Sequence, residues 1–201
     1  TTYFMTEDEI KGYLQHYLPI KYIEQCFDNS VYIWEQCTEY DLAQHTIIPS
    51  IPLPQNWYYN QEVTRFVMSN DFPHIQAMLK SENSYDRYLM YLAFEGVIER
   101  NIPEQEWHET LKRLDLEMYE LIGISRIKEA TVSSYFITMH KMINIFWEDA
   151  QCFTGCSRGS AAGWILNYLL QITQENPLKQ PTEMYHWRFI SEERPEYPDI
   201  D

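Results

Sequence analysis

The chain has 201 residues, enough for one domain or one and a half, and its 45% hydrophobic and 15% aromatic content is ample for a buried core. A formal net charge of −15 argues against a surface that coats nucleic acid, because such a surface needs Lys and Arg to neutralise phosphates. No run of about 18 apolar residues and no basic stretch followed by an apolar run occurs, so neither a membrane span nor a signal peptide is expected. The four cysteines, Cys26, Cys37, Cys152 and Cys156, show no secreted disulfide framework and read as reduced thiols of a cytoplasmic protein. Cys152 and Cys156 stand at i and i+4, which is not zinc-pair spacing, even with His140 nearby. The chain starts on Thr1 and stops on Asp201, and both ends read as cuts through a longer chain.

Thr6-Glu7-Asp8-Glu9 is a capping box that opens a first helix, with Ile10, Tyr13, Leu14 and Tyr17 on one face and Pro19 as its stop. A second helix is expected over Lys21 to Cys37, with Ile23, Cys26, Phe27, Val31 and Trp34 on one stripe. Asp41 to Trp57 carries Pro49, Pro52 and Pro54 and reads as an extended connector laid along a surface through Ile47, Ile48, Ile51, Leu53 and Trp57. Helical periodicity returns at Gln61, Asn70 to Pro73 reads as a turn, and Ile75 to Leu79 as a short helix. Ser84 or Asp86 would cap the next helix, whose stripe is Tyr88, Leu89, Leu92, Ala93 and Val97. Asn101-Ile102-Pro103-Glu104 starts another, with Trp107, Leu111, Leu114, Met118 and Leu121 on one face and Gly123 as its end. Ser134 to Trp147 is an aromatic and methionine stripe of the kind that packs a core. Cys152-Phe153-Thr154 is a strand candidate, and a helix is expected from Ala161 to Ile172. Asn176-Pro177-Leu178 breaks the chain. Glu192 to Pro195 turns, and Tyr197 to Asp201 is extended.

Two features carry chemistry. Gly155-Cys156-Ser157-Arg158-Gly159-Ser160-Ala161-Ala162-Gly163 holds three of the six glycines. A small-residue turn feeding a helix start leaves backbone N–H groups free for phosphate oxygens. Asp199 and Asp201 flank Ile200. On a strand their carboxylates share one face about 7 Å apart, a spacing that invites a bridging cation such as Mg²⁺. A DxD pair with a phosphate-cradling turn is the makeup of a two-metal phosphoryl or nucleotidyl transfer site.

The nine-residue run resembles the GPGRGSAAG signature of bacterial and phage DNA polymerase III alpha subunits, the C-family replicative polymerases. The similarity continues through Tyr168-Leu169-Leu170-Gln171-Ile172-Thr173 (YLLxIT), Pro177-Leu178 (DPL), Arg188-Phe189-Ile190-Ser191-Glu192-Glu193-Arg194 (RFLNPER) and Pro198-Asp199-Ile200-Asp201 (PDxDxD). Upstream, Tyr88-Leu89-Met90 with Ala93-Phe94-Glu95-Gly96 is similar to YLxxLAxEG, and Tyr135-Phe136-Ile137 to YFLI. The resemblance is dense from 155 to 201 and thin before 85. Cys156 and Ser157 depart from the signature, His186-Trp187-Arg188 stands for FER, and Lys141 falls where an acidic residue is common. Such departures suggest a remote member, as from a phage or mobile element.

The resemblance implies an α+β, predominantly helical fold: a helical region over 1–90 leading into an incomplete, nucleotidyltransferase-like palm over 91–201. It implies template-directed DNA synthesis by the parent chain, with Gly159 and Ser160 holding the triphosphate and Arg158 beside it. By the same resemblance, Asp199 and Asp201 match catalytic carboxylates and are implied to be metal ligands for Mg²⁺ in a two-metal site that this segment leaves incomplete. Arg188 and Arg194 match arginines near the nucleotide; ion pairs with acids such as Glu192 are the other reading of them. The implied partners are primer–template DNA, deoxynucleoside triphosphates and other replisome subunits, with no membrane. The isolated segment is not expected to polymerise. A noncatalytic helical module for protein contacts in a replication complex is the competing reading, favoured by the acidic balance and the altered motif positions.

Overall fold

The computed structural model describes residues 3–38, 47–197 and 199–200. Packing divides the chain into Thr1–Thr46 and Ile47–Asp201.

In the first unit, α1 (Glu7–Leu14) starts at the capping box: the Glu9 N–H donates to the Thr6 hydroxyl and the Glu9 carboxylate accepts the Thr6 N–H at 2.8 Å. The helix stops at Leu14, before Pro19, which stands just outside α2 (Ile20–Gln36). Ile23 of the expected α2 stripe is buried, whereas Val31 and Trp34 are exposed. Part of the expected connector, residues 39–46, lies outside the described residues.

The second unit is built from α3 (Gln61–Met68), α4 (Pro73–Leu79), α5 (Ser84–Glu99), α6 (Glu104–Ile127), α7 (Ser133–Asn144) and the short α8 (Ile165–Leu169). Residues 47–60 run without regular structure along its surface, with Ile48, Ile51 and Leu53 packed on the core and Trp57 against Tyr59, Tyr88 and Tyr91. Asn60 caps α3 through its side-chain oxygen. The cap of α5 is Asn83, whose side chain accepts the Tyr85 N–H, rather than Ser84 or Asp86; Asp86 instead accepts from the Ser81 and Ser133 hydroxyls. Pro103 stands one position outside α6. That helix runs straight through Gly123, where a Cβ would lie 2.8 Å from the Glu192 side chain, so the glycine serves a close approach and not a stop.

α6 is the central element. Its apolar stripe, Leu111, Leu114, Met118 and Leu121, is buried in the core. Asp115, buried beside this stripe, accepts the His74 and Ile75 N–H groups at the start of α4, 2.8 Å each. α7 continues into a single π-helical turn, Ile145–Asp149. Phe136 of α7 stacks on Trp164 at 5.8 Å between ring centres, and Phe189 sits edge-on to both, so one aromatic trio joins three stretches far apart in sequence.

The described residues contain no strand, only one isolated bridge between Ser191 and Arg194, so helix dominates more than the expected α+β mixture. Cys152-Phe153-Thr154 is irregular and Phe153 is 97% exposed. Asp199 and Ile200 have no ladder partner among the described residues, and an extended segment without one is not a strand.

Candidate functional site

The glycine-rich run does not open a long helix. Gly159–Gly163 forms a 3₁₀ turn, Trp164 is extended (φ −101, ψ 127), and α8 begins only at Ile165 and stops at Leu169. The break falls at a tertiary contact. Trp164 is fully buried in the aromatic trio and its indole N–H donates to the His186 carbonyl at 2.8 Å, so its extended backbone coincides with these distant contacts. Gly159 has φ +68, the left-handed region that glycine adopts without penalty.

The first N–H groups of α8 are not free: Ile165 and Leu166 donate to the two carboxylate oxygens of Glu117, at 2.7 and 2.9 Å. Burial pushes the Glu117 carboxyl up to about 7, against the opposing pull of Arg113 and of the Leu166 and Ile165 N–H groups. Arg113 sits one turn before Glu117 and donates from Nε to Oε1 at 3.0 Å, while its Nη2 reaches the carbonyls of Gly163 (2.5 Å) and Met184 (2.6 Å). One turn further along α6, Glu120 accepts the Glu192 N–H at 2.6 Å and lies 3.4 Å from His186 Nε2. Arg113, Glu117 and Glu120, at i, i+4 and i+7, thus form a polar stripe on one face of α6 that holds the glycine-rich turn and the 184–192 segment.

Arg100 holds the other end of α8, donating to the Tyr168 and Thr173 carbonyls and to the Gln174 side chain, all at 2.8 Å. Asn167 donates to the Ala161 carbonyl at 2.8 Å, and the Gln174 N–H to the Cys156 carbonyl at 2.6 Å. His140 is engaged by the Leu170 carbonyl and Asn144, and all four cysteines are free and exposed.

Arg158, Gly159 and Ser160 are exposed. Arg158 lines a cavity of about 400 Å³ with Thr154, Gly155, Ser157, Ala161 and, from the far end of the chain, Ile200. Its back wall includes Met139 and Ile143 of α7. One turn before Met139, Tyr135 faces the Asp199–Ile200 segment: burial is the first cause that weakens its acidity, the Ile200 N–H opposes this, and the Asp199 charge adds to it. The Asp199–Ile200 segment is thereby brought to the same cleft as the start of the glycine-rich run. Asp199 is exposed, and Asp201 lies outside the described residues. Arg188 is exposed at the end of a 3₁₀ turn (His186–Arg188), and Arg194 pairs with Glu196 at 2.6 Å, not with Glu192.

Among the described residues no group of three or more His, Cys, Asp or Glu side chains could hold a metal ion, so these residues do not by themselves make a metal site. Nor is any described helix long and apolar enough to cross a membrane.

Residues 87–201 match the family model described as the bacterial DNA polymerase III alpha NTPase domain. The probable DNA polymerase YorL of Bacillus subtilis (strain 168) is 34% identical over 192 residues, covering 92% of this chain. The DNA-directed DNA polymerase of Bacillus phage SPbeta matches with the same identity and coverage. The DNA polymerase III subunit alpha of Campylobacter jejuni is 30% identical over 185 residues, 89% of this chain. No solved structure matches at the same level of significance. The chain belongs to the DNA polymerase III alpha family. It spans 14% of the length of each of these three relatives.

Proposed function

We propose that this chain is part of the catalytic alpha subunit of a DNA-directed DNA polymerase, with 91–201 a partial palm and 1–90 the helical region before it. Gly159 and Ser160 hold the triphosphate of the incoming nucleotide through backbone N–H groups and the serine hydroxyl, and the Arg158 guanidinium meets a phosphate. Arg188 and Arg194 lie near the same nucleotide; the Arg194–Glu196 pair is at the surface, where such pairs hold weakly and exchange partners readily. Asp199 and Asp201 supply carboxylate oxygens, the donor type that suits Mg²⁺, and the remaining ligands come from outside the described residues. Primer–template DNA, deoxynucleoside triphosphates and other replisome subunits are the partners, in the cytoplasm.

The observation that carries this reading is the shared cleft: Arg158 and Ile200, 42 positions apart, line one cavity, with Asp199 beside it at Tyr135. The test is primer extension by the full-length polymerase with Mg²⁺ present. Asp199→Ala and Asp201→Ala each abolish synthesis with the protein still folded. Retained synthesis by Asp201→Ala would remove the catalytic assignment and leave a helical protein-contact module.

A further inference from the structure

We propose that Arg113 and Glu117 are positioning residues for the triphosphate site, locking the joint between the Gly159–Gly163 turn and α8 so that Gly159 and Ser160 are presented in one conformation. This rests on the reading of Gly159 and Ser160 as triphosphate contacts.

The joint is Trp164, and the pair grips it from both sides. Arg113 holds the Gly163 carbonyl before it, and Glu117 holds the Ile165 and Leu166 N–H groups after it. The Arg113 Nε–Glu117 bond at 3.0 Å fixes the two grips relative to each other. The second Arg113 bond, to the Met184 carbonyl, adds the segment that leads to Arg188. This inner end is tightly packed: a Cβ on Gly163 would lie 3.2 Å from the Tyr185 carbonyl oxygen.

The outer end differs. The turn has no side-chain cap at its start, and a Cβ on Gly159 would meet nothing within 4 Å. Within the turn only Gly159 and Ser160 are exposed; Ala161 to Gly163 is buried, held by Asn167 at the Ala161 carbonyl and by Arg113 at the Gly163 carbonyl, so the uncapped start takes its conformation from this held part. Glu117 is fully buried and Arg113 nearly so, with side-chain exposures of 0% and 14%, so both act through the backbone they hold and not by meeting the nucleotide.

The experiment uses the full-length polymerase with Glu117→Ala, Glu117→Gln and Arg113→Lys. Each weakens the joint, so the KM for deoxynucleoside triphosphate rises while kcat stays within about twofold, the signature of a binding contact that is misplaced. Glu117→Ala raises KM roughly 10- to 100-fold, as expected for losing charge-assisted hydrogen bonds. Glu117→Gln keeps one oxygen for Ile165 and Arg113 and falls between Ala and wild type. Amide hydrogen exchange at 159–163 is faster in Glu117→Gln than in wild type, a readout that stands even if Glu117→Ala fails to fold. A fall in kcat alone with unchanged KM, or unchanged exchange at 159–163, overturns the proposal. Ser160→Ala run in parallel separates the two readings: an unchanged KM there removes the triphosphate assignment, whereas unchanged exchange in Glu117→Gln removes the positioning role whatever Ser160 does.

Discussion

Gly96 and Leu169 touch backbone to backbone: a Cβ placed on Gly96 would lie 2.3 Å from the Leu169 carbonyl oxygen. Gly96 is on α5, and Leu169 is the last residue of α8. The obstacle is main chain, which cannot rotate away, so Gly96→Ala must push α8 off α5. The expected cost is about 3 kcal/mol, the upper end for an overpacked core. Gly159→Ala is the contrast. Nothing lies within 4 Å there, but φ is +68, so the cost is only the left-handed penalty of about 1–2 kcal/mol. Urea denaturation of the two variants measures both values.

Glu117 makes stability depend on pH in a stated direction. Its ordinary value is 4.5, and burial raises it to about 7 in the fold. Between those values the folded chain holds a proton that the unfolded chain has released. The stability this group contributes is complete below about 4.5 and is lost as pH rises through about 7. A shift from 4.5 to about 7 corresponds to about 3 kcal/mol. His140 and His186 are both shifted down, chiefly by burial, and act oppositely: their contribution is present above 6.5 and is lost as pH falls. The difference between wild type and Glu117→Gln across pH 5 to 8 isolates the carboxyl. The wild-type midpoint should fall more steeply with rising pH than that of the variant. Parallel curves would contradict the shift.

Local signals were readable where they are local in cause. The capping box at Thr6 and the Pro103-Glu104 start both lie at helix beginnings, because caps depend on three or four neighbouring residues. The polymerase motifs were legible as a pattern and led to the family. The break at Trp164 was not, because it coincides with contacts to Phe136, Phe189 and the His186 carbonyl, all distant in sequence. Strands are expected at 152–154 and through Asp199 to Asp201, but among the described residues, 152–154 and 199–200, none has a ladder partner, because a strand needs a partner that a local window does not contain. Glu117 carries a local signal. It falls three residues after Leu114 and four before Leu121, on the buried face of an amphipathic helix, with an arginine four residues earlier. A carboxylate at a core position must have partners, and here they are the N–H groups of α8 and Arg113.

Arg100 offers a test of the far end of α8. Its guanidinium donates in three directions at 2.8 Å and lies over the Tyr168 ring at 4.3 Å. Arg100→Ala leaves the Tyr168 and Thr173 carbonyls without these donors, and a loss of about 2–3 kcal/mol is expected from charge-assisted bonds at a half-buried site. Arg100→Lys should recover little of it, since a single ammonium cannot reproduce the planar fork. Thermal unfolding of the three proteins checks the order, and a lysine variant equal to wild type would show that charge alone suffices.

Ser160 separates binding from chemistry in the proposed site. Its side chain is exposed, so Ser160→Ala should leave the unfolding midpoint unchanged. If the hydroxyl meets a triphosphate oxygen, its removal deletes one charge-assisted hydrogen bond, and the KM for nucleotide should rise roughly 10- to 100-fold in the full-length polymerase. A contact made equally in the ground and transition states leaves kcat as it was. Asp199→Ala should behave in the opposite manner, with synthesis lost through kcat at saturating nucleotide. Steady-state kinetics on the two variants decide it: a kcat loss in Ser160→Ala of the same size as in Asp199→Ala would place the serine in the chemical step and not in the cradle.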